Sequence, residues 1–100
     1  MNAENRIRLL LGAQAALLGM ITPNIRGVAC SLEDGVITVT SVFDGVISSD
    51  DIERCEIVTT EIVANFLTET IETKAVSHNA QLPLSLLDVG EWVYRRYEGE

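Results

Sequence analysis

Asp34-Gly35, set between two runs of alternating apolar residues, constrains the chain more than any other pair in it. A two-residue type I′ turn needs positive φ at both central positions, which Asp and Gly tolerate and most residues do not. The pair therefore predicts a β-hairpin over residues 25–43, and the turn fixes the register. Leu32 then faces Ile37, Cys30 faces Val39 and Val28 faces Ser41, forming one mostly apolar face. The other face carries Gly27, Ala29, Ser31, Thr38, Thr40 and Val42. Small and mildly polar, it is expected to meet solvent or a partner.

Residues 3–19 read as a helix, with Asn2 as cap and Gly19 as C-terminal stop before Pro23. Ile7, Leu10, Leu11, Gln14, Leu17, Leu18 and Ile21 recur at i, i+3, i+4, i+7 spacing. Leu9, Ala13 and Ala16 make the opposite side apolar too, so the helix is expected to be covered on two sides, within the fold or at a dimer interface. Asp44-Gly45 makes a second turn. Ser48 or Ser49 then caps a second helix running to about Phe66, with Asp50, Asp51 and Glu53 in its first turn, where carboxylates suit the helix dipole. Ile52, Cys55, Thr59, Ile62, Val63 and Phe66 cluster on its inner side. Asp50, Glu53, Arg54, Ile57 and Glu61 cluster on its outer side.

Residues 69–78 and 91–97 read as strands, the second on its Trp, Val and Tyr content. Between them Pro83 and Leu84–Leu87 read as a loop or one helical turn. The order α-β-β-α-β-β predicts an α+β two-layer sandwich: a four-stranded, mainly antiparallel sheet with two helices on one face. One hundred residues are expected to form a single domain, 1–100.

The net charge of −8 is unevenly placed. Asp44, Asp50, Asp51, Glu53, Glu56, Glu61, Glu69 and Glu72 face only Arg54 as a nearby opposing charge. Such a field repels nucleic acid and anionic lipid and attracts cationic partners. No apolar run spans a membrane. Arg6 and Arg8 before Leu9-Leu10-Leu11 imitate a signal peptide, but the period is that of an amphipathic helix, and a cytoplasmic location is expected. Cys30 and Cys55 fall on inner faces of different elements and read as two buried thiols, with a disulfide not required. His78, the only histidine, has no sequence neighbour that marks it as catalytic, and the cysteines and histidine lack the spacing of a zinc site. No phosphate-loop, dinucleotide or nucleophile-elbow motif is present, so no cofactor, metal or catalytic activity is expected. Of the Arg95-Arg96 pair, one is expected to face the acidic helix.

Leu17-Leu18-Gly19 through Ile21-Thr22-Pro23-Asn24-Ile25-Arg26 resembles a group of small bacterial proteins of the toxin-immunity type. The likeness extends to Phe43-Asp44-Gly45, Thr60-Glu61-Ile62-Val63-Ala64 and Trp92-Val93-Tyr94-Arg95-Arg96, with a departure at Cys30 and Ser31, where bulkier residues are usual. The resemblance implies a protein that neutralises a toxin by binding it. Where that toxin is a nuclease with a basic groove, an acidic surface with a few apolar anchors suits it. Ile57 among Asp50, Glu53, Glu56 and Glu61 has that layout and is the expected binding site. The segment Ile21–Arg26 reads either as a rigid helix-to-strand connector or as an exposed recognition loop. Two further readings stand beside the first: a homodimeric accessory protein using the two-sided first helix, and a small-molecule binder around Trp92, Tyr94 and His78.

Overall fold

The computed structural model describes residues 2–98. The order along the chain is α1 (Ala3–Leu17), β1 (Ile25–Glu33), β2 (Val36–Phe43), α2 (Ser49–Val63), β3 (Thr70–Ser77), a 3₁₀ turn (Leu84–Leu86) and β4 (Glu91–Arg95). The hairpin forms as the turn requires. Asp34 and Gly35 take φ of 51° and 74°, and Leu32–Ile37, Cys30–Val39 and Val28–Ser41 stand opposite one another. The sheet order is β3-β2-β1-β4, antiparallel except for a parallel β2–β3 pairing. No helix among the described residues is long and apolar enough to cross a membrane.

Both helices cover one face. Leu9, Ala13, Ala16 and Leu17 of α1 join Val28, Cys30, Ile37, Val39 and Phe43 of the hairpin and Cys55, Val58 and Ile62 of α2 in one core. The small side of α1 is thus its inner side. Gly12, where an added Cβ would stand 3.0 Å from the Asn65 amide nitrogen, lets α1 approach the end of α2 closely. The longer apolar stripe is left outside: Ile7, Leu11 and Leu18 are exposed. Bulk favoured burying that stripe, but the close approach of two helices over a narrow sheet selects alanine and glycine. The helix ends at Leu17, two residues before the Gly19 stop, which takes φ of 76°.

The opposite face is covered at its Gly27, Ala29, Thr40 and Val42 end, which corrects the expectation of solvent or a partner there, while Ser31 and Thr38 are half-buried and Glu72 and Lys74 of β3 are exposed. Ala29, Val42 and Thr40 are buried. β3 and β4 are the two outer strands, so the chain between them must cross the sheet. It crosses this face: Asp88, Val89 and Gly90 lie beside Ser31, Thr38, Thr40, Lys74 and Val76. Trp92 follows, its ring over Gly27, where an added Cβ would stand 2.7 Å from the indole.

Arg26 holds this crossing in place. It is the extra residue of a bulge in β1 between Ile25 and Gly27, and its side chain is 1% exposed. Its Nε and Nη2 donate to the two carboxylate oxygens of Glu98, both at 2.8 Å. Its Nη1 donates to the carbonyls of His78 at 3.2 Å and Asn79 at 3.1 Å. Arg96 adds bonds to Glu98, to the Pro23 carbonyl and to Asp44. The counter-charges of Arg96 are therefore Asp44 and Glu98, not the acidic helix, and Arg95 is exposed.

The Arg26 hydrogen bonds hold the Glu98 carboxyl at about 2, against the opposing effect of burial and with further help from the Arg26 and Arg96 charges. A depressed folded-state pKa gives stabilisation that is complete above the ordinary carboxylate value near 4.5 and is lost as pH falls toward about 2. Glu98→Gln is expected to cost about 2 kcal/mol at pH 7 and to be less costly at pH 3. Urea unfolding followed through Trp92, the only tryptophan, measures both. An equal loss at the two pH values would show that the ion pair is not the source.

Candidate functional site

The sequence Ser48-x-x-Asp51 opens α2 with a capping box. The Asp51 backbone N–H donates to Ser48 Oγ at 3.1 Å, and the Ser48 N–H donates to Asp51 Oδ2 at 2.9 Å. Asp51 also takes bonds from Asn24 Nδ2 at 3.1 Å and Arg54 Nη2 at 2.5 Å. Asn24 in turn accepts from the Thr22 hydroxyl. The carboxyl of Asp51 is held below its usual range, first by the Ser48 backbone N–H and then by the side chains of Ser48, Arg54 and Asn24, while burial opposes them.

This network turns Asp51 inward and sets the rotation of the helix. Asp51, Cys55, Val58, Thr59 and Ile62 face the core. Asp50, Glu53, Glu56, Ile57 and Glu61 are all exposed, so the five residues expected to form the site share the outer surface of α2. Asp50, Glu53, Ile57 and Glu61 form one stripe by helical spacing, and Glu56 flanks it. Among the described residues none of the four carboxylates takes part in an ion pair, because the helix's only arginine is bound to Asp51.

Ile52 departs from expectation. Assigned to the inner side, it is 42% exposed, against 44% for Ile57. Inward rotation of Asp51 carries its neighbour out to the flank of the helix, beside Glu56 and about 140° around the axis from Ile57. The capping-box pattern identified the cap, but what ties Asp51 inward is the bond from Asn24, 27 positions earlier in the chain. Helix α2 also stops at Val63, short of Phe66, which folds back into the core on its own turn.

The segment Ile21–Arg26 is a connector. Asn24 accepts from the Thr22 hydroxyl and donates to Asp51 at the start of α2, Pro23 and Asn24 carbonyls accept from the Arg96 side chain and the Asp44 N–H, and Arg26 is buried. Trp92 and Tyr94 do not converge on a pocket with His78. Trp92 lies over Gly27 on the helix-free face, whereas Tyr94 packs against the core on the helix side. His78 Nε2 lies 3.2 Å from the Pro83 carbonyl, and its backbone joins the sheet edge and the Arg26 cluster. Both cysteines are free and buried. Burial pushes the Cys30 thiol up to about 12 and raises that of Cys55, so neither is a ready nucleophile.

The sequence matches the family model described as MafI2 immunity protein over residues 6–98. Comparison with curated proteins gives no match.

If Asp51 fixes the helix, Asp51→Ala should lower stability by about 2 kcal/mol through loss of the cap and the bonds from Asn24 and Arg54. Urea denaturation is the measurement. A midpoint equal to that of the unaltered protein would show that core packing alone orients α2.

Proposed function

Because the chain belongs to the MafI2 immunity protein family, we propose that it neutralises its protein toxin through the outer surface of α2, and that the toxin presents a basic, nuclease-like groove there. The observation that carries this reading is the layout of α2. Exposed Ile57 stands among the carboxylates of Asp50, Glu53, Glu56 and Glu61, with exposed Ile52 on the flank beside Glu56 and the one nearby arginine withdrawn. Charges of one sign speed the encounter and select a partner of the opposite sign, while apolar groups inside the charged rim supply the slow release that protection needs.

A protein of this kind works by occupancy. It has no bond to make or break, and its chemistry is shape and charge at one surface. The free thiols suit a reducing compartment, and the cytoplasm is where an immunity protein would meet a toxin that has entered the cell.

Ile57→Arg is expected to leave the fold intact, since the side chain is nearly half exposed, and to weaken toxin binding by about 30-fold or more. Glu53→Lys should slow association, and the affinity of the unaltered protein should fall at least about tenfold between low salt and roughly 0.5 M salt. Low-salt affinity capture from the host lysate, elution with salt and mass spectrometry identify the toxin; titration with it then measures both variants. Binding untouched by Ile57→Arg would sink the site assignment, and capture of an acidic toxin would sink the charge argument.

A further inference from the structure

The outer stripe of α1 is a second surface, of a different character. Ile7, Leu11, Gln14 and Leu18 follow one another at spacings of four, three and four residues, and Ile21 continues the line beyond the helix. Leu18 is 81% exposed and Leu11 61%. Beside the stripe, a bulge in β4 turns both Val93 and Tyr94 toward the helix layer, which creates an apolar groove of about 610 Å³ between α1 and the free edge of the sheet.

From this we infer that the stripe and groove form the interface of a symmetric homodimer, with α1 packed antiparallel against α1 of a second copy. Three observations select that occupant. First, no charged residue lies between Arg8 and Arg26, although the chain carries a net charge of −8. Two copies repel one another across most of their surface, and this neutral face is where they can meet without bringing like charges together. A basic toxin gains nothing there and everything at α2.

Second, the stripe is self-complementary about its centre. With a rise of about 1.5 Å per residue, Leu11 lies about 4.5 Å to one side of Gln14 and Leu18 about 6 Å to the other. A two-fold axis near Gln14 therefore sets Leu11 against Leu18 of the partner subunit, twice. It also sets the two Gln14 carboxamides side by side, and each can donate to and accept from the other. A polar residue at the middle of an otherwise apolar seam fixes register and orientation.

Third, the area fits a weak, concentration-dependent association. The four exposed apolar residues of the stripe present on the order of 400 Å², the size of the largest apolar patches on soluble chains, which often serve a function. With the groove walls at Val93 and Tyr94 this stays below the roughly 800 Å² per partner of a standard interface, so the dimer is expected to be of about micromolar strength. Helix α1 lies over β1 and β4, whereas α2 lies over β2 and β3. The dimer thus leaves both acidic surfaces open, and each copy can hold its own toxin.

Light scattering after size exclusion tests this on the full chain at about 100 μM, a concentration that populates even a micromolar dimer. The expected mass is twice the 10.9 kDa of one chain. Leu18→Glu should return it to the mass of one chain with an unchanged circular dichroism spectrum, because the residue makes little contact within the copy. As a second test, Gln14→Cys should form a disulfide-linked dimer on mild oxidation, whereas Gln81→Cys, exposed on the far connection, should not. A monomer at that concentration, a dimer that survives Leu18→Glu, or equal cross-linking at both positions would overturn the inference. A monomer whose toxin binding is lost in Leu18→Glu would assign the groove to the toxin instead.

Discussion

Arg26 is the contact on which the arrangement of the chain depends. A guanidinium with 1% exposure cannot be left without partners, and its fork reaches Glu98 near the end of the described chain and the two carbonyls that follow β3. Those four bonds join β1, the end of β3 and the segment after β4. They oblige the β3–β4 connection to run across the helix-free face. Much of what the pair gains in attraction is spent on desolvation, so its contribution is to specify the path more than to stabilise it. Once the path is set, Ala29, Thr40 and Val42 are covered, and only the Ser31, Thr38 and β3 side of that face stays partly open. The outward surfaces that remain with a character of their own are α2 and the α1–β4 groove.

Local chemistry made much of this legible in advance. Asp34-Gly35 determines its own turn and, through it, seven paired positions of the hairpin; Asn2 and Ser48 cap their helices for reasons that lie within four residues. The outer surface of α2 was legible for the same reason, since a helical period sorts carboxylates from core residues. What could not be read was set at a distance. Which side of α1 faces inward depends on how near α2 comes, and only the packed pair reveals that Ala13, Ala16 and Gly12 are needed at the contact. Burial of the small face of the hairpin depends on a connection some fifty residues away. Arg26 read as the end of a connector or recognition loop because the glutamate that makes its burial tolerable lies 72 positions along the chain.

The stretches that carry the family likeness divide in a similar way. Thr22, Asn24, Arg26, Asp44 and Arg96 take part in the hydrogen bonds that hold connector, hairpin end and last strand together. Glu61 is exposed on α2, beside the core residue Ile62. A shared frame with a variable charged surface is what a family of binding proteins needs if each member is to fit its own toxin. Here that surface combines unpaired carboxylates with Ile57 and, on the flank, Ile52, while the neutral stripe of α1 is kept apart from it on the other half of the helix layer.

The claim that α2 carries recognition is tested most directly by hydrogen exchange on the chain alone and with its captured toxin. The backbone amides of residues 49–61, which line the acidic surface, should gain protection in the complex, and those along α1 should not change on toxin binding. Protection confined to α1 and β4, with α2 exchanging as in the free protein, would contradict the account.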